Sequence, residues 1–193
     1  MDYKFLLRQT GMFLLTPVRA WTSYLEQKQS VKLVRNNILL PFLLLVAICS
    51  FLGSFLLANT TMQPLYSVFV ALRYVLLDIV VVYLSAVIYR EIAKALDLNA
   101  DFQLSFGIIV YSLLPLFICQ MASLLFESLV FINVIALYGL WILWYANVVT
   151  LNPPAHKKIP MVIAVFVVIA ELYVGCSLAL ASLVDRIYFG FFA

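Results

Sequence analysis

Charged side chains are scarce in this sequence. Asp, Glu, Lys and Arg make up 11% of its 193 residues, against roughly 25% in an ordinary soluble domain. Hydrophobic residues reach 66% and the mean hydropathy is +1.09, which excludes a water-soluble globular fold. Histidine occurs once, as His156, with no second ligand near it, so the chain offers no zinc site. The cysteines, Cys49, Cys119 and Cys176, are odd in number and lack CxxC spacing. They read as small packing residues and not as a disulfide framework. Neither HExxH nor GxSxG occurs, and no histidine falls in an apolar run, which argues against intramembrane catalysis. Catalytic, cofactor-binding and metal-binding residues are therefore not expected, and neither is enzyme activity.

What fills the chain instead is apolar sequence in membrane-length runs. A helix needs about 20 apolar residues to cross a hydrocarbon core of roughly 30 Å. The predicted spans are Ile38 to Ala58, Val68 to Ile88, Leu104 to Leu125, Leu129 to Val149 and Pro160 to Val184. The runs are continuous and show no period-2 alternation, which indicates helices and not barrel strands. Turn residues separate them: Asn59-Thr60-Thr61 with Pro64, Asp97 through Asp101, and Asn152-Pro153-Pro154. The break near Glu127 is tight, so spans three and four should form a close hairpin, with Glu127 solvated at its end. The expected fold is all-α: a polytopic transmembrane bundle of five helices (36–193) behind an N-terminal amphipathic, interfacial helical segment (1–35).

Orientation follows from the basic residues. Lys4, Arg8, Arg19, Lys28, Lys32, Arg35, Arg90, Lys94, Lys157 and Lys158 are ten of the twelve Lys and Arg, and all fall on one side of a five-span layout. Positive charge near span ends stays cytoplasmic, which puts the N-terminus inside and the C-terminus outside. The net charge of +3 records that bias, and nucleic acid is not an expected partner. Before the first span, Tyr3, Leu6, Leu7, Phe13 and Leu14 fall near one helical face. Thr16 is placed as an N-cap with Pro17 at the first helical position, and Val18, Trp21, Thr22 and Leu25 form a stripe. That segment suits either the headgroup region, with Trp21 at the interface, or a cap packed on the bundle. Charges interrupt it, so it does not read as a cleavable signal peptide.

Arg73, Asp78 and Glu171 are the ionisable residues inside spans, and each is expensive in hydrocarbon. Measured from the outer boundary, Arg73 lies about 7 Å deep, Asp78 about 15 Å and Glu171 about 12 Å. Matching depths suggest an Arg73–Glu171 pair in the bundle core, with Asp78 at a similar level. The same three residues would serve a cation- or proton-linked path, and Arg73 could also snorkel outward. Gln120, Asn133 and Asn147 are expected to form interhelical hydrogen bonds, and Gly175 with Ala179 makes a small-xxx-small pair. Pro115 should kink span three around Tyr111-Ser112, with Ser112 helping to satisfy the freed backbone group. Asn59-Thr60-Thr61 is formally a glycosylation sequon, though its closeness to the membrane argues against use.

Three features carry a resemblance to the Yip1 family, especially its bacterial branch. Tyr111-Ser112-Leu113-Leu114-Pro115 resembles the family's Tyr-Ser-x-x-Pro element. The run from Leu15 to Trp21 resembles its short Pro-containing, Trp-bearing segment before the first span, and the five-span layout is similar throughout. The Asp-Leu-Tyr-Gly-Pro element of eukaryotic relatives has no counterpart here. The Rab GTPase and trafficking role associated with those relatives is therefore not carried over. The resemblance implies a fold and a location, expected to be the bacterial inner membrane. It favours a non-enzymatic protein that organises membrane or recruits partners: the lipid bilayer, a second copy, or another membrane protein. A small transporter or channel using Arg73, Asp78 and Glu171 is the alternative.

Overall fold

In hydrocarbon every backbone N–H and C=O needs a partner within the protein, so long apolar runs close into helices. The computed structural model describes residues 3–57 and 64–191. The Asn59-Thr60-Thr61 sequon and the side chains of Tyr3 and Glu127 lie outside the described residues. The helices are α1 (Tyr3–Leu15), α2 (Pro17–Gln27), α3 (Val31–Val34), α4 (Leu40–Leu52), α5 (Pro64–Ala95), α6 (Phe102–Ser112), α7 (Leu114–Leu125), α8 (Tyr138–Ala146) and α9 (Ala155–Phe191). Wider π-type turns at Arg35–Leu39, Gly53–Leu57 and Asn147–Leu151, and a tighter 3-10 stretch at Glu127–Leu137, join them into longer rods. Among the described residues, four helical rods are long and apolar enough to span: Val31–Leu56, Pro64–Ala95, Ser128–Leu151 and Ala155–Gly190. The α6–α7 pair makes a fifth, bent by 41°.

Several rods outrun the apolar stretches that predict them, because a helix does not stop where hydrophobicity stops. At the end of α5, Glu91 bridges Arg90 at 2.8 Å and Lys94 at 3.1 Å, and all three are good helix formers. Asp97 then leaves the helix with φ 58°, and Lys157 clamps the corner by donating to the Leu96 carbonyl at 2.7 Å. Asp101 starts α6 by accepting from the Leu104 N–H at 2.7 Å. The π turn before α4 answers Pro41, which has no N–H to give; the Leu40 N–H reaches back to Arg35 instead.

α5 is the hub of the bundle, packing on α9, α4 and α6, while α7 folds back on residues 127–137 as the expected close hairpin. Among the described residues, two glycines are pressed against the backbone of another helix. A Cβ at Gly53 would overlap the Leu124 backbone carbonyl, and one at Gly139 would overlap that of Ser112. Both allow helices to approach with backbone nearly touching.

The N-terminal helices bear out one reading in position and correct another. Thr16 stands before α2 with Pro17 at its first turn, but its side chain makes no cap bond to α2 and donates to the Met12 carbonyl at 3.2 Å. Trp21 is not a headgroup anchor, because it is completely buried. The inward stripe of α2 is Pro17, Ala20, Trp21 and Tyr24, while Val18 and Leu25 stay exposed. It lies one position round the helix from the predicted stripe, on the side where α2 packs against α8. In α1 the inward face is Leu6, Gln9 and Phe13, with Leu7 at 73% exposure.

The glycine contacts give a direct check. Gly53→Ala should destabilise the detergent-solubilised protein by roughly 1–3 kcal/mol, since backbone must move to admit the methyl. Gly11→Ala, where nothing lies within 4 Å of the new Cβ, should be neutral or gain up to about 1 kcal/mol from helix propensity. Paired thermal melts would read the difference, and equal losses would contradict the packing.

Candidate functional site

The bend in span three organises two neighbouring sites. Pro115 lies in the first turn of α7 and Leu113 forms the joint, so the Tyr111 carbonyl loses its donor four residues on and is met instead by the Leu113 N–H. Ser112 does not repair this as expected: its hydroxyl is buried with no hydrogen-bond partner among the described residues. The bend turns Tyr111 into an aromatic cluster. Its ring stacks on Phe13 at 3.8 Å, and Trp21 and Tyr24 meet it edge-on at 6.0 and 5.7 Å. The Tyr111 hydroxyl donates to Gln29 at 2.7 Å, and the Trp21 indole N–H donates to the Ile142 carbonyl at 3.1 Å. Burial, and secondarily Asp101, hold the Tyr24 phenol well above its ordinary pKa range, so it stays neutral. It donates to the Gln103 carbonyl at 3.4 Å.

Tyr111 and Ile142 each lie roughly 13 Å along their helices from the end of the bundle nearest α2. The N-terminal segment is therefore wedged between spans, not laid on their surface. Phe13, Tyr24 and Gln29 complete this lock. Sequence reading passed over the roles of Tyr24 and Gln29, although an aromatic one turn from Trp21 at i+3 was a usable signal.

On the other side of the bend lies a polar cleft of about 380 Å³, walled by Tyr74, Gln120, Ser123, Leu124, Val130, Asn133 and Tyr173. Asp78 sits behind it, 1% exposed. With its amide nitrogen turned to the carboxylate, Gln120 donates to both Asp78 oxygens at 3.3 Å. Ser123 donates to Asn133 at 3.4 Å across the span three–four hairpin, and Tyr89 donates to Asn147 between spans two and four. The three amides thus join helices as their positions suggested.

The intramembrane charges do not converge. Arg73 is half-buried, with its guanidinium carbon 4.6 Å from the Tyr74 ring centroid, a cation–π contact. Its Nε is buried without a hydrogen-bond partner. Glu171 is exposed on the outward side of α9, and among the described residues it forms no ion pair with Arg73 or Asp78. The expected Arg73–Glu171 pair is thus overturned. The two match in depth, but α9 meets the bundle through Met161, Val165, Leu172, Cys176, Val184 and Tyr188. Glu171 stands about 100° round the helix from Leu172.

A family profile described as the Yip1 domain matches residues 11–178. The chain belongs to the Yip1 domain family. No curated protein and no solved structure matches it. As a Yip1 domain with several apolar helices of spanning length, it is an integral, multi-pass membrane protein that sits in a lipid bilayer. In this Yip1 domain the matched region takes in the aromatic lock, the bend at Pro115 and the cleft.

Two expectations follow. Trp21→Ala should cost about 3–5 kcal/mol, the scale for truncating a buried aromatic, whereas Val18→Ala should stay within about 1 kcal/mol. Comparable melting shifts for both would place Trp21 outside the core. At Asp78, asparagine keeps the shape and a hydrogen-bonding group for Gln120, so Asp78→Asn should hold stability within about 1 kcal/mol. Asp78→Ala strands the Gln120 amide and should cost about 1–3 kcal/mol. A larger loss for Asn than for Ala in thermal melts would overturn that ordering.

Proposed function

We propose that this chain is a non-enzymatic membrane protein that organises the bilayer by recruiting partner helices within the membrane plane, a second copy of itself first among them. One observation carries the reading. Ile159, Ile163, Val167, Glu171, Gly175, Ala179 and Leu183 follow one another at intervals of four along α9, and all are exposed. Residues spaced by four form one ridge of a helix. This ridge has a carboxyl near the middle of a 37-residue helix, followed by two small residues that admit close backbone approach.

A carboxyl turned toward lipid at that depth is expensive, and a neighbouring helix that hydrogen-bonds it relieves the cost. The transport alternative needs Arg73, Asp78 and Glu171 along one path. Their separation, with Asp78 closed over by Gln120 and Glu171 on the outer face, weighs against it. Ten of twelve basic residues at one end of the layout support a cytoplasmic N-terminus in a bacterial inner membrane. The chain's charge supports no nucleic-acid partner, and nothing in the sequence motifs supports a cofactor.

Oxidative cross-linking tests the recruitment. In a cysteine-free background, Ala179→Cys in membranes should give a disulfide-linked dimer, while Leu44→Cys, exposed on span one, should not. Adding Glu171→Leu should lower the Ala179→Cys dimer yield about tenfold, equivalent to roughly 1.4 kcal/mol. A purely monomeric Ala179→Cys protein, or a dimer indifferent to Glu171, would count against the proposal.

A further inference from the structure

Where span four diverges from span five, the bundle leaves a second cavity beside the polar cleft. It holds about 250 Å³ between α7, α8 and α9, and its walls are apolar, with Leu116, Leu140, Leu143, Phe166 and Ile169 prominent. Asn133 and Tyr173 line both cavities, so the two adjoin there and form a groove with a polar and an apolar end. Together they reach the volume of a small-ligand site, roughly 300–1,000 Å³.

The groove is graded along the membrane normal. Its polar end lies beside the turn between spans three and four: Ser123 and Asn133 are about 5–12 Å along their helices from that turn. The apolar end runs toward the middle of the bundle, since Leu116 and Leu143 lie farther from the turn. The polar end is also rich in donors. Among the described residues the hydroxyls of Tyr74 and Tyr173 make no hydrogen bond. The Asn133 side-chain oxygen is taken by Ser123, which leaves its amide N–H groups to the cleft. Gln120 is occupied with Asp78. Behind Tyr74 stands Arg73, with its buried Nε unpartnered. Donors at the outer end of the groove, backed by the Arg73 cation behind Tyr74 and set above an apolar slot, are complementary to acceptor oxygens carried on a hydrocarbon chain.

We propose that this groove is a lipid site. It holds one acyl chain of an anionic glycerophospholipid from the leaflet opposite the N-terminal helices. The chain lies along Leu116, Leu140 and Phe166, and the ester and phosphate oxygens face Tyr74, Asn133 and Tyr173. This goes beyond the recruitment reading and does not depend on it, since the groove is built with spans three and four and the Glu171 ridge only borders it on α9.

The test is photolabelling. The full chain is reconstituted in phosphatidylethanolamine vesicles containing phosphatidylglycerol with a diazirine near the middle of one chain, then irradiated and mapped by peptide mass spectrometry. Labelling should concentrate on the groove, about tenfold over exposed Leu44 and Leu72, a preference of roughly 1.4 kcal/mol. Ala136→Trp, which fills the slot from span four, should remove that excess and leave the label at Leu44 unchanged. Ala170→Phe fills it from span five and serves if the first variant fails to fold. The combined change Tyr74→Phe, Asn133→Leu and Tyr173→Phe should reduce the excess for phosphatidylglycerol. Phosphatidylcholine bearing the same diazirine chain should label the groove less than phosphatidylglycerol in the unmodified protein. Even labelling over all lipid-facing residues, or groove labelling unchanged by a folded slot-filling variant, would overturn the site. Equal labelling by the two lipids would overturn the anionic head.

Discussion

The contact between Tyr111 and the N-terminal helices is the interaction on which the rest of the bundle depends. Tyr111 lies in the interior of span three, yet its ring stacks on Phe13 and its hydroxyl reaches Gln29. A buried phenol left without an acceptor costs about 1–3 kcal/mol, so Gln29 has to be brought to it, and α1 and α2 come with it. Trp21 then fills the space beside span four and finds the Ile142 carbonyl. The segment before the first span thereby becomes part of the core that positions spans three and four, and the 41° bend after Tyr111 sets the direction in which α7 leaves.

That direction decides what the far half of the bundle looks like. α7 turns back on residues 127–137, while α9 leans on α5. The hairpin and the last helix therefore separate at their outer faces and leave the groove between them. One proline thus links an enclosed end, where Phe13, Trp21 and Tyr111 are packed, to an open end, where tyrosine hydroxyls and an amide face a cleft. The closed core and the accessible surface are consequences of the same backbone defect.

Much of this was legible in the chain. Hydropathy located the spans because burial in lipid selects composition strongly, and Pro115 located the bend because its missing N–H leaves no alternative nearby. Gln120, Asn133 and Asn147 had to find partners between helices, and they did. Rotation about a helix axis was the illegible quantity. Depth follows from counting residues at a fixed rise, so Arg73 and Glu171 matched in level. Which way each points depends on the contact stripe of its helix. In α9 that stripe is set by packing on α5, and the apolar composition is too uniform all round to announce it. The same one-position ambiguity moved the inward stripe of α2 from Val18, Trp21, Thr22 and Leu25 to Pro17, Ala20, Trp21 and Tyr24.

The rotation of α9 also separates two kinds of polar residue in this membrane. Asp78 is enclosed and answered by Gln120 within its own chain, so its role ends in holding spans two and three together. Glu171 has no such answer among the described residues, and neither do the Tyr74 and Tyr173 hydroxyls. A group buried with its partner is part of the fold, whereas one left facing the bilayer has to be satisfied by something that comes from the bilayer. Glu171 is a lone carboxyl on a ridge of small and apolar side chains, which suits another helix. The hydroxyls stand above an apolar slot, which suits a lipid chain. The chemistry left unsatisfied by the fold therefore lies at the two surfaces where the membrane itself supplies the partner.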